Sequence, residues 1–190
     1  SDGGVARTFT NTGTGNLIFG AAAGTLTSGS SLVVNGGLAQ VNTAGALGAT
    51  GLYNVVVNST TASGTAAFNL NSVSQAIGTL TYGGAGAGAS AVNSVATGSG
   101  TLTLGGDLAY VATNNPGGAT LSGSLALGAT RNFTIADSSS TTSELTVSAL
   151  ISGATFGITK AGAGRLVLSN TSNSFSGAVA CMKSASVSPW

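Results

Sequence analysis

Residues 158–178 read ITKAGAGRLVLSNTSNSFSGA, and this stretch decides the fold that the sequence predicts. Residues 165–169 alternate apolar and polar side chains, which is typical of a strand with one buried face. Gly162 and Gly164 precede that strand and Gly177 follows it. Glycine is used where a Cβ would clash or where φ must be positive. With two charges and no reactive group, the stretch predicts a corner geometry and no reaction.

The same period of two recurs along most of the chain. It is clear in residues 101–104, 132–136 and 144–150, each of which predicts a short strand. Clusters of Gly, Asn and Ser separate such segments, as in NGG at 35–37 and NNPGG at 114–118, and they predict turns. The apolar residues are mainly Ala, Val and Leu, so we expect many short strands around an interior of small and β-branched groups.

Short internal repeats narrow the choice among all-β folds. GTLT begins at Gly24, Gly78 and Gly100, and ALGAT begins at Ala46 and again at Ala126. The interval between the two ALGAT copies fits four coils of about 20 residues, which is a solenoid period. The prediction is an all-β fold, a β-solenoid of about nine coils paired in parallel. A β-sandwich and a β-barrel are the alternatives, because both use short strands at similar spacing.

Composition bounds the function. The chain has 190 residues, a net charge of +1 and only 5% charged residues. Five scattered basic residues are a poor footprint for nucleic acid, whose recognition needs Lys and Arg against phosphates. No apolar stretch of about 18 residues predicts a membrane helix, so we expect no membrane insertion. The single Cys181 excludes an internal disulfide and leaves a free thiol or a link between subunits.

Residues for catalysis are scarce. The chain has no His, and its four acids are Asp2, Asp107, Asp137 and Glu144. Asp137 and Glu144 are the only close pair in sequence, and the run SSSTTS between them predicts a solvated loop. The segment GGAGAGAS at 83–90 lacks the Lys of a phosphate-binding loop and predicts a Gly-rich corner. We expect no enzyme activity, no cofactor and no metal.

A threonine series suggests a minor alternative. Thr25, Thr43, Thr61 and Thr79 are evenly spaced along the chain and would form a ladder if the coil had the same period. Flat threonine ladders on β-solenoids resemble ice-binding faces, although Thr43 and Thr61 lack a second Thr two positions on. An ice-binding or glycan-binding solenoid is therefore a lesser alternative.

Residues 151–179 resemble the passenger-associated transport repeat of bacterial autotransporters. The resemblance is weaker elsewhere, as in AAFNLNSVSQAIGTLTYGG at 66–84, and it extends from about residue 20 onward. The positions that match the repeat are Gly157, Thr159, Lys160, Gly162, Gly164, Leu166, Leu168, Asn173, Phe175, Ser176 and Gly177. The resemblance implies a right-handed parallel β-helix, exported to the cell surface or beyond, with a stalk, adhesive or structural role and no catalysis.

The sequence also predicts where individual side chains of this segment lie. Lys160 and Arg165 are expected to point outward with solvated heads, and Asn173 is expected to hydrogen-bond backbone at a corner. We expect one solenoid domain over residues 1–179 and an atypical tail over 180–190, which is a cap, a subunit contact or a frayed end. Cys181 and Trp190 are the possible subunit contacts in that tail.

These expectations combine into a functional hypothesis. The strand pattern starts and ends within a coil, which predicts open ends that stack head to tail. We expect a non-catalytic structural protein of the bacterial cell surface or extracellular matrix, with copies of itself as partners and surface glycans as a further partner class. The alternative is a fragment of an autotransporter passenger that acts as an adhesin stalk.

Overall fold

The computed structural model describes residues 5–21, 28–48 and 53–182. These residues form parallel β-strands in two sheets and contain no helix. Sheet A stacks eight strands, namely β1 (Thr8–Asn11), β3 (Ser31–Val34), β5 (Asn54–Val57), β8 (Leu80–Tyr82), β10 (Leu108–Tyr110), β12 (Arg131–Ile135), β15 (Ile158–Ala161) and β17 (Val179–Cys181).

Sheet B holds the strands that alternate with those of sheet A along the chain. Its main path is β2 (Asn16–Phe19), β4 (Gly37–Val41), β6 (Thr65–Asn69), β9 (Val92–Leu104), β11 (Gly118–Leu127), β13 (Leu145–Val147) and β16 (Leu166–Leu168). The short strands β7 (Gln75–Ile77) and β14 (Leu150–Ser152) pair with the second halves of the long strands β9 and β11. The chain therefore winds from one sheet to the other and back, which is a β-solenoid.

Each coil is longer than the sequence predicted. Most hydrogen bonds between neighbouring coils join residues 21 to 29 positions apart, as from Arg165 to Glu144 and from Asn71 to Asn42. The described chain accordingly makes about six turns, where the shorter coils expected from the repeats predicted about nine. The β-solenoid prediction is confirmed, and its number of coils is not.

The ALGAT repeat explains the discrepancy. The first copy bonds to the next coil through Leu47, whose N–H donates to Gln75 Oε1. Gln75 pairs with Leu102, and Leu102 pairs with Leu125, which precedes the second copy. The interval between the two copies thus spans three coils, where four were predicted.

The GTLT repeat does not mark one coil either. Leu80 of the second copy lies in sheet A, where it pairs with Leu108. Leu102 of the third copy lies in sheet B, where it pairs with Leu125. The first copy, which begins at Gly24, lies outside the described residues. Similar tetrapeptides therefore serve strands on different sheets.

Alternation along the strands places one apolar column of each sheet in the interior. In sheet A, Val55, Leu80, Leu108 and Phe133 succeed one another by register and are at most 1% exposed. Successive coils lie about 4.8 Å apart, so each member packs on the member below it. Because every interior position has a neighbour above and below, burial is nearly complete in the middle of the stack.

All three tyrosines of the chain, Tyr53, Tyr82 and Tyr110, are buried in this core. The Tyr82 hydroxyl donates to Thr120 O and the Tyr110 hydroxyl to Pro116 O. Burial raises the pKa of Tyr53 from 10.0 to about 12 and raises the pKa of Tyr82 and Tyr110 as well.

We therefore expect alkaline unfolding linked to tyrosine ionisation. In the unfolded chain the phenols lose their protons near pH 10, so stability is complete below pH 10 and falls as the pH rises toward 12. Phenolate absorbance should increase together with the loss of the β-sheet circular dichroism. Phenolate formation with an intact β-sheet signal would contradict the burial of these rings.

Candidate functional site: the C-terminal motif and the ends of the solenoid

The motif glycines lie where two coils come closest. Gly162 has a φ of +80°, and a Cβ placed on it would overlap the carbonyl oxygen of Ile135 in the preceding coil. A Cβ on Gly164 would overlap the carbonyl oxygen of Ala136. The corner between β15 and β16 thus requires glycine for positive φ and for close approach, as the sequence predicted.

Gly157 and Gly177 make a second close approach, between the start of β15 and the segment before β17. A Cβ on Gly157 would overlap Ala178 O, and a Cβ on Gly177 would overlap the backbone of Phe156. Four of the predicted motif residues, all glycines, are therefore needed because they have no side chain. Their role is to let neighbouring coils stack.

Polar motif residues join the motif coil to the coil below. Asn173 Oδ1 accepts the N–H of Ile151 at 2.8 Å, and Asn173 Nδ2 donates to Asn170 O at 2.8 Å. Ser176 Oγ donates to Ala154 O at 2.6 Å. The predicted backbone contact of Asn173 at a corner is confirmed, because it satisfies an N–H of a neighbouring coil.

The remaining motif positions line the interior only in part. Leu166, Leu168 and Phe175 pack against the core but are half-buried. Thr159 does not line the interior, because it pairs with the exposed Asn132 on the outer face of sheet A, and it is half-buried. These side chains belong to the last coils described, which have neighbours mainly on one side.

The two motif cations differ from each other. Arg165 is exposed, as predicted. Lys160 pairs with Phe133, which is fully buried, so its side chain starts on the interior face of sheet A. It is half-buried, and its ammonium donates to the Gly162 carbonyl. The prediction that Lys160 points outward is therefore wrong, whereas the hydrogen bond of its ammonium is exposed, in agreement with the predicted solvated head.

The two acids that flank the predicted solvated loop differ in their exposure to solvent. Asp137 is exposed, whereas Glu144 is only 2% exposed. Glu144 Oε1 accepts the N–H of Ser138, and Oε2 accepts the N–H of Arg165 in the next coil. The prediction of solvation is thus wrong for Glu144, because this carboxylate serves as an acceptor for two backbone donors.

Both carboxylate oxygens of Asp107 also accept hydrogen bonds from the next coil. Its Oδ1 accepts the N–H of Asn132 at 2.9 Å, and its Oδ2 accepts Asn132 Nδ2 at 3.1 Å. Within the described ranges, no group of three or more His, Cys, Asp or Glu side chains could hold a metal ion. Asp2 lies outside those ranges.

The described ends of the stack expose apolar side chains. At the N-terminal end, Phe9 is 40% exposed although its register partner Leu32 is fully buried. At the C-terminal end, Val179 is 52% exposed although its register partner Ile158 is fully buried. Cys181, the free cysteine, is exposed on the same strand. Residues 183–190, including Trp190, lie outside the described residues.

The described members of the predicted threonine ladder, Thr43, Thr61 and Thr79, do not align. Thr43 follows β4 in sheet B, and its hydroxyl donates to Gly20 O. Thr61 lies in the corner between β5 and β6, and Thr79 directly precedes β8 in sheet A. The three residues therefore occupy different corners, because each coil is longer than the spacing between these threonines. Thr25 lies outside the described residues.

A cleft opens at a corner near the N-terminal end. It encloses about 300 Å³ between three successive coils. Its lining consists of glycines and hydroxyl side chains, namely Thr12, Gly13, Thr14, Gly36, Gly37, Ser59, Thr61, Gly64 and Thr65. A cleft lined without charge or aromatic rings offers hydrogen bonds to a neutral polar ligand.

The burial of two asparagine side chains was not predicted from the sequence. Asn93 is fully buried and its Oδ1 accepts the N–H of Ser59, but its Nδ2 has no partner. Asn58 is 6% exposed, and its Oδ1 has no partner. The only available signal was the position of Asn93, two residues before Val95 on the interior face of β9.

This arrangement of parallel coils defines the protein as a β-solenoid with tightly joined coils. Comparisons of the chain with protein-family models, curated proteins and solved structures found no match. In the part of the chain that the structure describes, no helix is long and apolar enough to cross a membrane.

Proposed function

We propose that the protein is a non-catalytic structural rod of the bacterial cell surface or extracellular matrix, which extends end to end with copies of itself. The observation that carries the proposal is the exposure of interior-facing side chains in the end coils. Phe9 and Val179 belong to columns that are fully buried one coil further in. Open strand edges and uncovered apolar columns favour the addition of another coil.

The acidic residues support a role without catalysis. Glu144 is used by two backbone N–H groups, and Asp107 is used by Asn132. A glycosidase needs two free carboxylates at a defined separation. Glu144 and Asp107, whose carboxylates already accept hydrogen bonds, do not supply such a pair. A right-handed coil belongs to the same proposal, because strand connections in parallel sheets are almost always right-handed.

A second candidate is an adhesin stalk that belongs to an autotransporter passenger. It is favoured by the motif segment, where Gly162, Gly164 and Asn173 make the coil-to-coil contacts described above. Surface glycans are a ligand class for such a stalk, and the uncharged corner cleft suits neutral hydroxyl-rich molecules. Copies of the chain remain the partners of the first candidate.

A charge at the C-terminal end tests the first candidate. Val179→Lys places an ammonium in an interior column, and we expect a folded monomer in sedimentation velocity where the original chain forms large assemblies. Burying an unpaired charge in a junction costs several kcal/mol. Ala180→Lys is the matched control, because the register partner of Ala180 is Thr159 on the outer face.

The control variant should assemble like the original chain. Circular dichroism should show the same β-sheet signal for all three proteins. A monomeric original chain at every concentration, or a Val179→Lys variant that assembles normally, would overturn the proposal.

A further inference from the structure

Three successive corners on one side of the solenoid differ in length. Each of them joins a strand of sheet A to the next strand of sheet B. The corner between β1 and β2 spans residues 12–15, the corner between β3 and β4 spans 35–36, and the corner between β5 and β6 spans 58–64. The corner cleft is lined by residues of all three coils. It is therefore a recess over the short middle corner, with a longer corner on each side.

Two glycines of the middle coil leave this recess without side chains. A Cβ on Gly36 would lie 3.2 Å from Gly13 O, and a Cβ on Gly37 would overlap Gly15 O. Both glycines line the cleft. The backbone of the middle coil is therefore packed directly against the first corner, and no side chain of these two residues occupies the space between the longer corners.

Ser59 supplies a buried hydroxyl to the wall of the cleft. The residue is only 1% exposed, and its Oγ lies 3.5 Å from Thr61 O. This distance exceeds the roughly 2.5 to 3.0 Å that is usual for an O–H···O hydrogen bond. A Cβ on Gly64, which also lines the cleft, would come within 2.7 Å of Ser59 Oγ. The hydroxyl therefore faces the space that Gly64 leaves open, where a ligand can reach it.

The backbone of Ser59 is fixed by the next coil. Its N–H donates to Asn93 Oδ1 at 2.8 Å, and its carbonyl oxygen accepts the N–H of Gly88 at 2.8 Å. A polar group that is held in place before binding loses less conformational freedom when a ligand arrives. The buried Asn93, which the sequence did not single out, thus has a positioning role at this cleft.

The lining determines which ligand chemistry fits. None of the described residues that line the cleft is charged or aromatic, and hydroxyl groups are carried by Thr12, Thr14, Ser59, Thr61 and Thr65. A hydroxyl both donates and accepts, so this set matches a ligand whose own groups do both. An ion would leave water without meeting an opposite charge, which is costly. The volume of about 300 Å³ lies at the lower end of the range of ligand pockets and suits a single small ring.

We propose that this cleft binds one neutral sugar unit of a glycan chain. Ser59 Oγ bonds the sugar at the inner end of the cleft, and the exposed hydroxyls of Thr12, Thr14, Thr61 and Thr65 bond it at the rim. The inference rests on the second candidate function, the stalk, for its ligand class. It does not depend on end-to-end assembly.

Saturation-transfer difference NMR with the full chain tests the site, because the method works for single subunits and for large assemblies alike. The probes are methyl glucoside, methyl galactoside and N-acetylglucosamine, and glucuronic acid is the charged comparison. At neutral pH we expect saturable binding of at least one neutral sugar and weaker binding of glucuronic acid.

Two variants locate the binding. Ser59→Ala and Thr65→Val each remove one hydroxyl without adding bulk, so each should weaken binding of the neutral sugar by about three- to tenfold. Because Thr65 is exposed, its variant keeps the test valid if Ser59→Ala does not fold. Thr113→Val is the matched control, because Thr113 is exposed in the corner between β10 and β11, and this variant should bind like the original chain.

The outcomes separate this inference from the proposed function. The sugar site is overturned if no neutral sugar binds saturably, if glucuronic acid binds equally well, or if the folded variants bind like the original chain. Sedimentation velocity of the same preparations reports assembly. Assembly without sugar binding leaves the rod standing and removes the site, whereas sugar binding by a chain that never assembles removes the rod and leaves the site.

Discussion

Replacing Gly162 with Ala is expected to detach the motif coil from the coil below, at a cost of about 2 to 5 kcal/mol. An Ala at a φ of +80° is strained by about 1 to 2 kcal/mol. Its Cβ would also overlap the Ile135 carbonyl oxygen, and backbone overlap of this kind costs about 1 to 3 kcal/mol more.

The effect should be local, because each coil of a solenoid contacts only its neighbours. Hydrogen exchange followed by mass spectrometry should show that amides of residues 158–181 lose protection by about a hundredfold or more. Amides of the central strands, such as β9, should retain most of their protection.

Two other glycines separate strain from overlap. Gly45 has a φ of +72° with nothing near its would-be Cβ, so Gly45→Ala should cost only about 1 to 2 kcal/mol. Gly15 has neither positive φ nor a close neighbour, so Gly15→Ala should change stability by less than about 1 kcal/mol. If all three substitutions have equal effects, close approach at Gly162 is not what holds this corner.

Replacing Glu144 with Ala should cost about 2 to 4 kcal/mol. The N–H groups of Ser138 and Arg165 would both lose their acceptor; the first lies in a buried hydrogen bond and the second in a partly buried one. An unsatisfied buried donor costs about 1 to 3 kcal/mol. Chemical denaturation followed by circular dichroism measures the loss. Glu144→Gln should have an intermediate effect, because one carboxylate oxygen becomes an NH₂ group that faces a donor.

Asp137→Ala is the matched control for Glu144. Asp137 belongs to the same corner segment but is exposed, so its removal should change stability by no more than about 0.5 kcal/mol. Equal effects of the Asp137 and Glu144 substitutions would show that the two hydrogen bonds of Glu144 contribute little.

The sequence predicted correctly those features that depend on interactions between residues close together in the chain. Alternation over residues 165–169 predicted β16, and the roles of Gly162 and Gly164 followed from what glycine alone permits. Asn173 was correctly assigned to a corner for the same reason, since its short amide suits a backbone bond. Such features depend on a few neighbouring residues.

Features that depend on coil length were not predictable. The ALGAT interval is equally compatible with four short coils or three long ones, and only the pairing of Gln75 with Leu102 decides between them. The threonine ladder failed for the same reason, since Thr43 and Thr61 align only on a coil whose length equals their spacing.

Burial of polar residues was also missed, because it depends on which side chain meets which coil. The segment SSSTTS predicts solvent, yet Glu144 at its end turns inward to reach the Arg165 N–H in the next coil. Tyr82 and Tyr110 fill an interior that the composition assigned to small and β-branched groups.

Cryo-electron microscopy of the assembled full chain at neutral pH tests the central claim most directly. The parallel strands stacked in both sheets predict filaments with a continuous ladder of about 4.8 Å spacing across each junction. Dispersed particles of one subunit, or filaments whose ladder is interrupted between subunits, would contradict an end-to-end β-solenoid.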